Sequence, residues 1–298
     1  ELSMKYSKSY LFITFLVLIL AGNLLAAGYS EENADEVYKK ITHVYVLKPD
    51  GSTEFTYSHE LKVLTSYALN RKSGESFIVY NPDYQELEVQ RSATKMTTGE
   101  IVHSPENAFN EVLPRCASDN VPEMNLREMV VTHTGLEIGC TVEFAYTLTS
   151  EKDFLPGLQG KVVLGKRSPV REFNVIVKVP NGQYFAHYMA NSSQSPVKTD
   201  EEGFDVYTWQ FKNIPLVAQE TQQPEFGKFV PTLYFSSAKK SEIIDHIKGK
   251  SENLFELNDK SVESIKELTA DELTAMDKII KVYDHVHNYV GSGSCDPL

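Results

Sequence analysis

The sequence predicts a mainly β fold, an antiparallel β-sandwich followed by a short α-helical segment. Three observations point there. Short apolar runs of period two recur along residues 38–236, each closed by Gly, Pro, Asn or Asp. The chain carries 16 Tyr and 15 Phe, side chains that suit pleated, half-buried surfaces. After about residue 237 the apolar spacing changes to three and four, the period of a helix.

The first 28 residues are set apart from the fold. Lys5 and Lys8 precede an apolar run from Leu11 to Leu20, and the small residues Ala26-Ala27-Gly28 close it. A basic start, apolar centre and small-residue exit form a secretory signal pattern, so residues 1–28 are expected to be a signal peptide cleaved after Gly28. The expected location is periplasmic or secreted. The competing reading is an uncleaved membrane anchor, since Tyr10 to Ala27 approaches the roughly 18 residues that begin to span a bilayer. Gly22 and Asn23 interrupt that run, and Glu31-Glu32 follows it.

Residues 29–236 are expected to form the sandwich. Ile41 to Leu47 alternates Thr42, Val44 and Val46 with His43, Tyr45 and Leu47. Lys48-Pro49-Asp50-Gly51-Ser52 supplies turn chemistry, and Phe55 to Leu64 returns as the second strand of a hairpin. Ser76 to Tyr80 and Glu86 to Thr94 repeat the pattern around the turn Asn81-Pro82-Asp83, with another turn at Thr98-Gly99. Further strands are expected at Met129–Thr134, Thr141–Thr149, Lys161–Leu164, Arg171–Val179, Tyr184–Met189 and Phe204–Phe211. Asn107 to Leu126, rich in Pro, Asn and Asp, reads as a long surface connection.

Residues 237–298 are expected to be helical. Ser241–Lys248 places Ile243, Ile244 and Ile247 on one side, with Gly249 as a stop, and Ser261–Leu268 makes another turn or two. Thr269 and Glu272 form a T-x-x-E capping box ahead of a stripe at Leu273, Met276, Ile279, Ile280, Tyr283, Val286 and Val290. Such a stripe needs a partner to cover it, and the expectation is that these residues begin a second domain which this sequence does not finish.

Charge narrows the partners. The 298 residues hold 41 acidic and 29 basic side chains, a net of −12, and no basic run after residue 8 exceeds two residues. Phosphate binding relies on clustered Lys and Arg, so no nucleic acid is expected, and no membrane contact apart from the N-terminal segment. Motifs for phosphate loops, dinucleotides, HExxH or CxxC metal sites are missing from the sequence, so no cofactor or metal residue is named.

The chemically interesting residues each have a plain alternative. His285 and His287 flank Val286, a spacing that separates two rings by about 200° on a helix and suits no shared metal. Asp284 and His287 are spaced to pair along a surface. Gly291-Ser292-Gly293-Ser294-Cys295 looks like a nucleophile loop but lacks the preceding strand and following helix. Cys116 and Cys140 form a possible disulfide in an oxidising compartment, the alternative being two thiols. Trp209, within Tyr207-Thr208-Trp209-Gln210-Phe211, reads as a core or sheet-face aromatic, with a ligand-stacking platform for a sugar as the rival.

Segment order adds a resemblance. Glu86 to Ile101 with Gly99 at its turn, Met129 to Tyr146 with Gly139 before Thr141-Val142-Glu143-Phe144, and Pro169 to Pro180 followed by Asn181-Gly182 recur in one order. Tyr207 to Ser236 adds Trp209, Pro215, Glu220, Pro224 and Val230-Pro231-Thr232-Leu233-Tyr234-Phe235-Ser236. Together these resemble the β-rich domain of unknown function that precedes a transglutaminase-like domain in many exported bacterial proteins. Lys278 to Val290 resembles the helix that opens that following, papain-like domain. The resemblance implies a Cys nucleophile, His base and Asp orienter beyond this stretch. Cys295 lies too early to be that Cys, so no catalytic residue is carried over.

The expected function is a non-catalytic β-sandwich module that binds or positions a peptide or protein, or that contacts the following transglutaminase-like domain. The alternatives are the N-terminal part of a cysteine peptidase, amidase or transglutaminase-like enzyme acting on cell-envelope peptides, and a glycan-binding sandwich built on Trp209 and exposed tyrosines. Oligomeric state is not legible.

Overall fold

In chain order the strands of the computed structural model are β1 (Glu36–Leu47), β2 (Thr53–Val63), β3 (Glu75–Tyr80), β4 (Gln85–Lys95), β5 (Ile101–His103), β6 (Phe109–Val112) and β7 (Arg127–Thr132). There follow β8 (Thr141–Ser150), β9 (Gln159–Val163), β10 (Val170–Pro180), β11 (Ala186–Ala190), β12 (Val197–Glu201), β13 (Phe204–Ile214) and β14 (Thr232–Ser236). Helix α1 is a single turn (Ser66–Leu69), and α2 (Lys240–Ser251), α3 (Asp259–Leu268) and α4 (Ala275–Tyr289) come after the strands. The structure describes residues 29–289 apart from 70–71, 115–124, 153, 219, 253–255 and 273. The expected signal segment, residues 1–28, therefore lies outside the described residues.

Eight strands form one large sheet in the order β12-β13-β10-β1-β2-β8-β4-β5. Two three-stranded sheets, β3-β7-β6 and β11-β14-β9, take up the other strands of the described residues. The β1–β2 hairpin turns where the sequence places it: Gly51 takes φ +90, which its missing Cβ permits, and Ser52 N–H donates to Asp50 Oδ1 at 2.9 Å. One pair departs from the antiparallel expectation, since β1 and β10 run parallel. The intervening β9 belongs to a different sheet, so the chain leaves the large sheet after β8 and re-enters beside β1 by a crossover.

Strand register fixes which side of the large sheet is covered. Ile41, His59 and Phe144 lie opposite one another across β1, β2 and β8, as do His43, Tyr57 and Tyr146 in the next row. On β10 and β13 the same two rows continue as Phe173 and Phe211, and as Val175 and Trp209. Val162, Leu164, Leu233 and Phe235, from β9, its following residue and β14, share one buried cluster with Ile41, Phe173, Val175 and Trp209. Ile78 of β3 and Val131 of β7 share another with Phe144. Both small sheets thus lie on the same face. The other face is polar, with Thr56 and Thr147 hydroxyls 3.0 Å apart and Arg91 paired to Glu143.

Four short strands escaped the sequence reading. The expected connection over Asn107–Leu126 contains β6, which pairs with β7 and sets Phe109 against the Ile78 cluster. Its four residues are too few to show a period. Among the helices, α2 continues through Gly249 to Ser251, since an exposed glycine only weakens a helix. The expected capping box is displaced as well. The Thr269 hydroxyl donates back to the Ile265 carbonyl at 2.8 Å and closes α3, while Thr274 Oγ1 accepts from Asp277 N–H and opens α4. Met276, Ile279, Ile280, Tyr283 and Val286 of the expected stripe are all exposed among the described residues, and Leu273 and Val290 lie outside them.

Candidate functional site

Because side chains alternate along a strand, one parity of β1, β2 and β8 presents His43, Tyr45, Phe55, Tyr57, His59, Phe144 and Tyr146 to the covered face. The two small sheets do not meet above these residues. Strand β3 is an edge of one and β9 an edge of the other, and between them runs a cleft whose floor is this aromatic array.

The cleft contains two adjoining cavities. The larger, about 390 Å³, has His43, Tyr45, Phe55 and Tyr146 on its floor, Phe77, Ile78 and Val79 of β3 on one wall, and Gln159, Gly160 and Lys161 of β9 on the other. The smaller, about 310 Å³, is lined by Glu36, Tyr38, Tyr57, His59, Ser76 and His133 among others, and shares Phe77 and Tyr146 with the first. The rings pack on one another: Tyr45 stacks on Phe55 at 4.6 Å, and Tyr57 meets Tyr146 at 5.4 Å. Such a floor is rigid and amphipathic, with apolar ring faces and hydroxyl or imidazole edges.

Its histidines are neutral. Burial, with the Lys166 ammonium as a smaller cause, holds His43 down at about 3. Burial, then His133 and Lys166, holds His59 at about 3 as well. Burial lowers His133 to about 4, and lowers Lys166 below its ordinary value. The tyrosines shift the other way, Tyr45, Tyr57 and Tyr146 all being raised by burial. His59 Nδ1 lies 3.0 Å from the Tyr57 hydroxyl, and His43 Nδ1 3.4 Å from that of Tyr45. The Nε2 atoms of both are buried without a hydrogen-bond partner among the described residues. His133 is satisfied on both sides, by Ser76 at 2.9 Å and Ser92 at 3.1 Å.

This arrangement can hold and hydrogen-bond a ligand, and among the described residues that line it no nucleophile is joined to both a base and an orienting carboxylate. Among the described residues no group of three His, Cys, Asp or Glu is placed to hold a metal ion. None of the described helices is long and apolar enough to cross a membrane.

The residues singled out from sequence lie elsewhere. Trp209 is fully buried between the sheets, its ring edge-on to His187 at 5.3 Å. In this fold its ring is packed within the cluster that joins β10 and β13 to β9 and β14. An exposed tyrosine pair does exist, Tyr188 with Tyr234 on the outer side of the β11-β14-β9 sheet. Cys140 is buried beside Val63 and Ala68, while Cys116 and Cys295 lie outside the described residues, so the possible disulfide does too. His287 stacks on Tyr283. The floor residues were missed, although His43-x-Tyr45, Phe55-x-Tyr57-x-His59 and Phe144-x-Tyr146 repeat one signal: aromatic and imidazole groups at the same parity on three strands.

A family model described as a Domain of Unknown Function with solved structure, DUF3857, matches residues 49–218. The chain is similar, at 33% identity and a TM-score of 0.78, to a crystal structure from Parabacteroides distasonis ATCC 8503 described as a "putative protease". That match covers 88% of this chain and 52% of the other, so the chain spans about half the length of that protein. An M1 zinc metallopeptidase from Deinococcus radiodurans matches over 68% of this chain and 42% of its own, at 11% identity and a TM-score of 0.34. No curated protein matches.

Proposed function

Because the chain belongs to the DUF3857 family, we propose that its β layers are a non-catalytic module that binds and positions a peptide or protein segment. The observation that carries this is the cleft between β3 and β9, floored by Tyr45, Phe55, Tyr57 and Tyr146. Aromatic floors of this kind give contact area at low entropic cost, and neutral imidazoles add hydrogen bonds without a charge to desolvate. In this proposal the module belongs to an exported protein and presents its ligand to a following transglutaminase-like domain. The basic, apolar and small-residue order of residues 4–28 supports export. The order of motifs ending in Val230-Pro231-Thr232-Leu233-Tyr234 supports the association.

The test is binding of the purified chain to an array of overlapping peptides from a reduced, carboxymethylated protein, followed by titration of the best binders. Tyr146→Leu, which removes the ring and hydroxyl, is expected to weaken binding about tenfold in a chain that still folds, with a melting temperature lowered by the lost ring packing. Unchanged binding in that variant would remove the cleft from the proposal.

One observation favours a second reading, in which the whole protein is an enzyme. The Parabacteroides protein is described as a "putative protease" and is about twice as long as the matched region. Under this reading the module delivers peptide to a catalytic part. Incubating the chain with carboxymethylated casein separates the two: release of fragments by this chain alone would contradict a non-catalytic module.

A further inference from the structure

We propose that the ligand enters the cleft as an added β-strand, pairing through its main chain with the outer edge of β3, which no other strand of the described residues covers. This rests on the reading of the cleft as a peptide site and assigns the substrate class: an extended, unmodified polypeptide segment. Three observations converge on it.

The first is edge geometry. In an antiparallel pair, alternate residues turn both backbone groups toward the partner and the others turn them away. His133 N–H donates to the Gly74 carbonyl, and Gly74 lies in register with His133 beyond the pair Glu75–Thr132. Even-numbered residues of β3 therefore bond to β7, and the N–H and C=O groups of Glu75, Phe77 and Val79 turn outward, where Phe77 and Val79 line the cleft. On the facing wall, Ser237 N–H donates to the Leu158 carbonyl and Leu164 N–H to the Pro231 carbonyl. Even-numbered positions again bond inward to β14, and the backbone groups of Gln159 and Val163 turn the other way.

The second is the layer itself. The large sheet continues unbroken beneath both small sheets, so its covering layer is divided between edges β3 and β9 while the floor is not. A strand laid along β3 would extend β6-β7-β3 toward β9-β14-β11. Six residues of β3 span about 20 Å, enough for a ligand segment of about five or six residues.

The third is the floor. A strand in this position turns alternate side chains down onto the ring array of Tyr57, Tyr146, His43 and His59 that lines the two cavities. Main-chain bonds would then supply sequence-tolerant affinity and the floor would supply preference at every second residue.

The experiment uses the strongest peptide from the array and two changes that touch only main-chain pairing. Val79→Pro removes an outward donor at an edge position where proline is tolerated, and a peptide N-methylated at alternate residues removes the complementary donors. Each is expected to weaken binding about tenfold or more, with the variant's melting temperature kept. If Val79→Pro binds as tightly as the parent and N-methylation has no effect, strand addition is overturned, while sensitivity to Tyr146→Leu keeps the cleft reading. Loss of folding in Val79→Pro leaves the N-methylated peptide to decide. A parent chain that binds no peptide of the array overturns both.

Discussion

Tyr57 and His59, two residues apart on β2, are joined side by side on the covered face, the tyrosine hydroxyl 3.0 Å from His59 Nδ1. The same imidazole meets Tyr38 edge-on at 5.5 Å and Phe144 at 5.7 Å. Period two places both on one face, and burial raises the tyrosine and lowers the histidine, so both are held neutral. Tyr57→Phe strips a buried imidazole of its one hydrogen-bond partner among the described residues and is expected to cost about 1–3 kcal/mol in urea unfolding. Replacing both, as Tyr57→Phe with His59→Phe, removes donor and acceptor together and should recover part of that loss. A double variant that loses the sum of the two single costs would show that the pair is uncoupled.

The three lowered histidines set a pH dependence. Between about 6.5, the ordinary value, and 3 to 4 in the folded protein, the unfolded chain binds protons that the native His43, His59 and His133 do not. Stability from these groups is therefore full above about pH 6.5 and falls as pH drops to about 4 for His133 and about 3 for His43 and His59, by up to about 1.4 kcal/mol per pH unit for each group. Glu31, lowered to about 2 chiefly by its hydrogen bonds with Arg171, acts in the same direction but at lower pH, beneath its ordinary 4.5. Urea midpoints measured from pH 7.5 to 5 should decline, and His59→Phe should flatten the slope. A flat profile over that range would contradict neutral burial of the imidazoles.

The fold was legible where a strand was long enough to show its period and was closed by turn chemistry. β1, β2, β4, β8, β10 and β13 all qualify, and the Pro49-Asp50-Gly51 turn defined the first hairpin. It failed at β5, β6, β12 and β14, which have three to five residues each. It failed again at Thr269, because two threonines compete there and only tertiary geometry shows which hydroxyl caps which end. The cleft was illegible for a different reason. Its floor residues were visible as an alternation, but its walls come from β3 and β9, which lie far apart in sequence and meet only through sheet order.

Gly160 sits on β9 directly under Phe235, whose ring fills the space a Cβ would take. Phe235 in turn meets Tyr45 edge-on at 4.9 Å, so it has little room to retreat from the floor. Gly160→Ala is expected to cost about 1–3 kcal/mol in thermal or urea unfolding. Adding Phe235→Leu should recover stability relative to Gly160→Ala alone, since the shorter side chain clears the site. Full native stability in Gly160→Ala would show that β9 sits farther from Phe235 than described.

Trp209 offers the sharpest reading of the core. It is the chain's one tryptophan and is fully buried in register with Val175, within the cluster that joins β10 and β13 to β9 and β14. Its indole N–H has no hydrogen-bond partner among the described residues, so the side chain contributes through packing. Trp209→Ala removes that packing and should cost about 3–5 kcal/mol, close to the whole stability of many domains. Trp209→Phe keeps most of the apolar contact and drops the unpaired N–H, so its cost should be much smaller. In the parent chain, emission should be blue-shifted in the native state and move to the red in a single step with unfolding. It should stay unchanged on adding envelope glycans, because the ring lies between the layers. A glycan-dependent shift without unfolding would mean that the layers separate at Trp209, which is incompatible with the packing of Val175 and Leu233 around it.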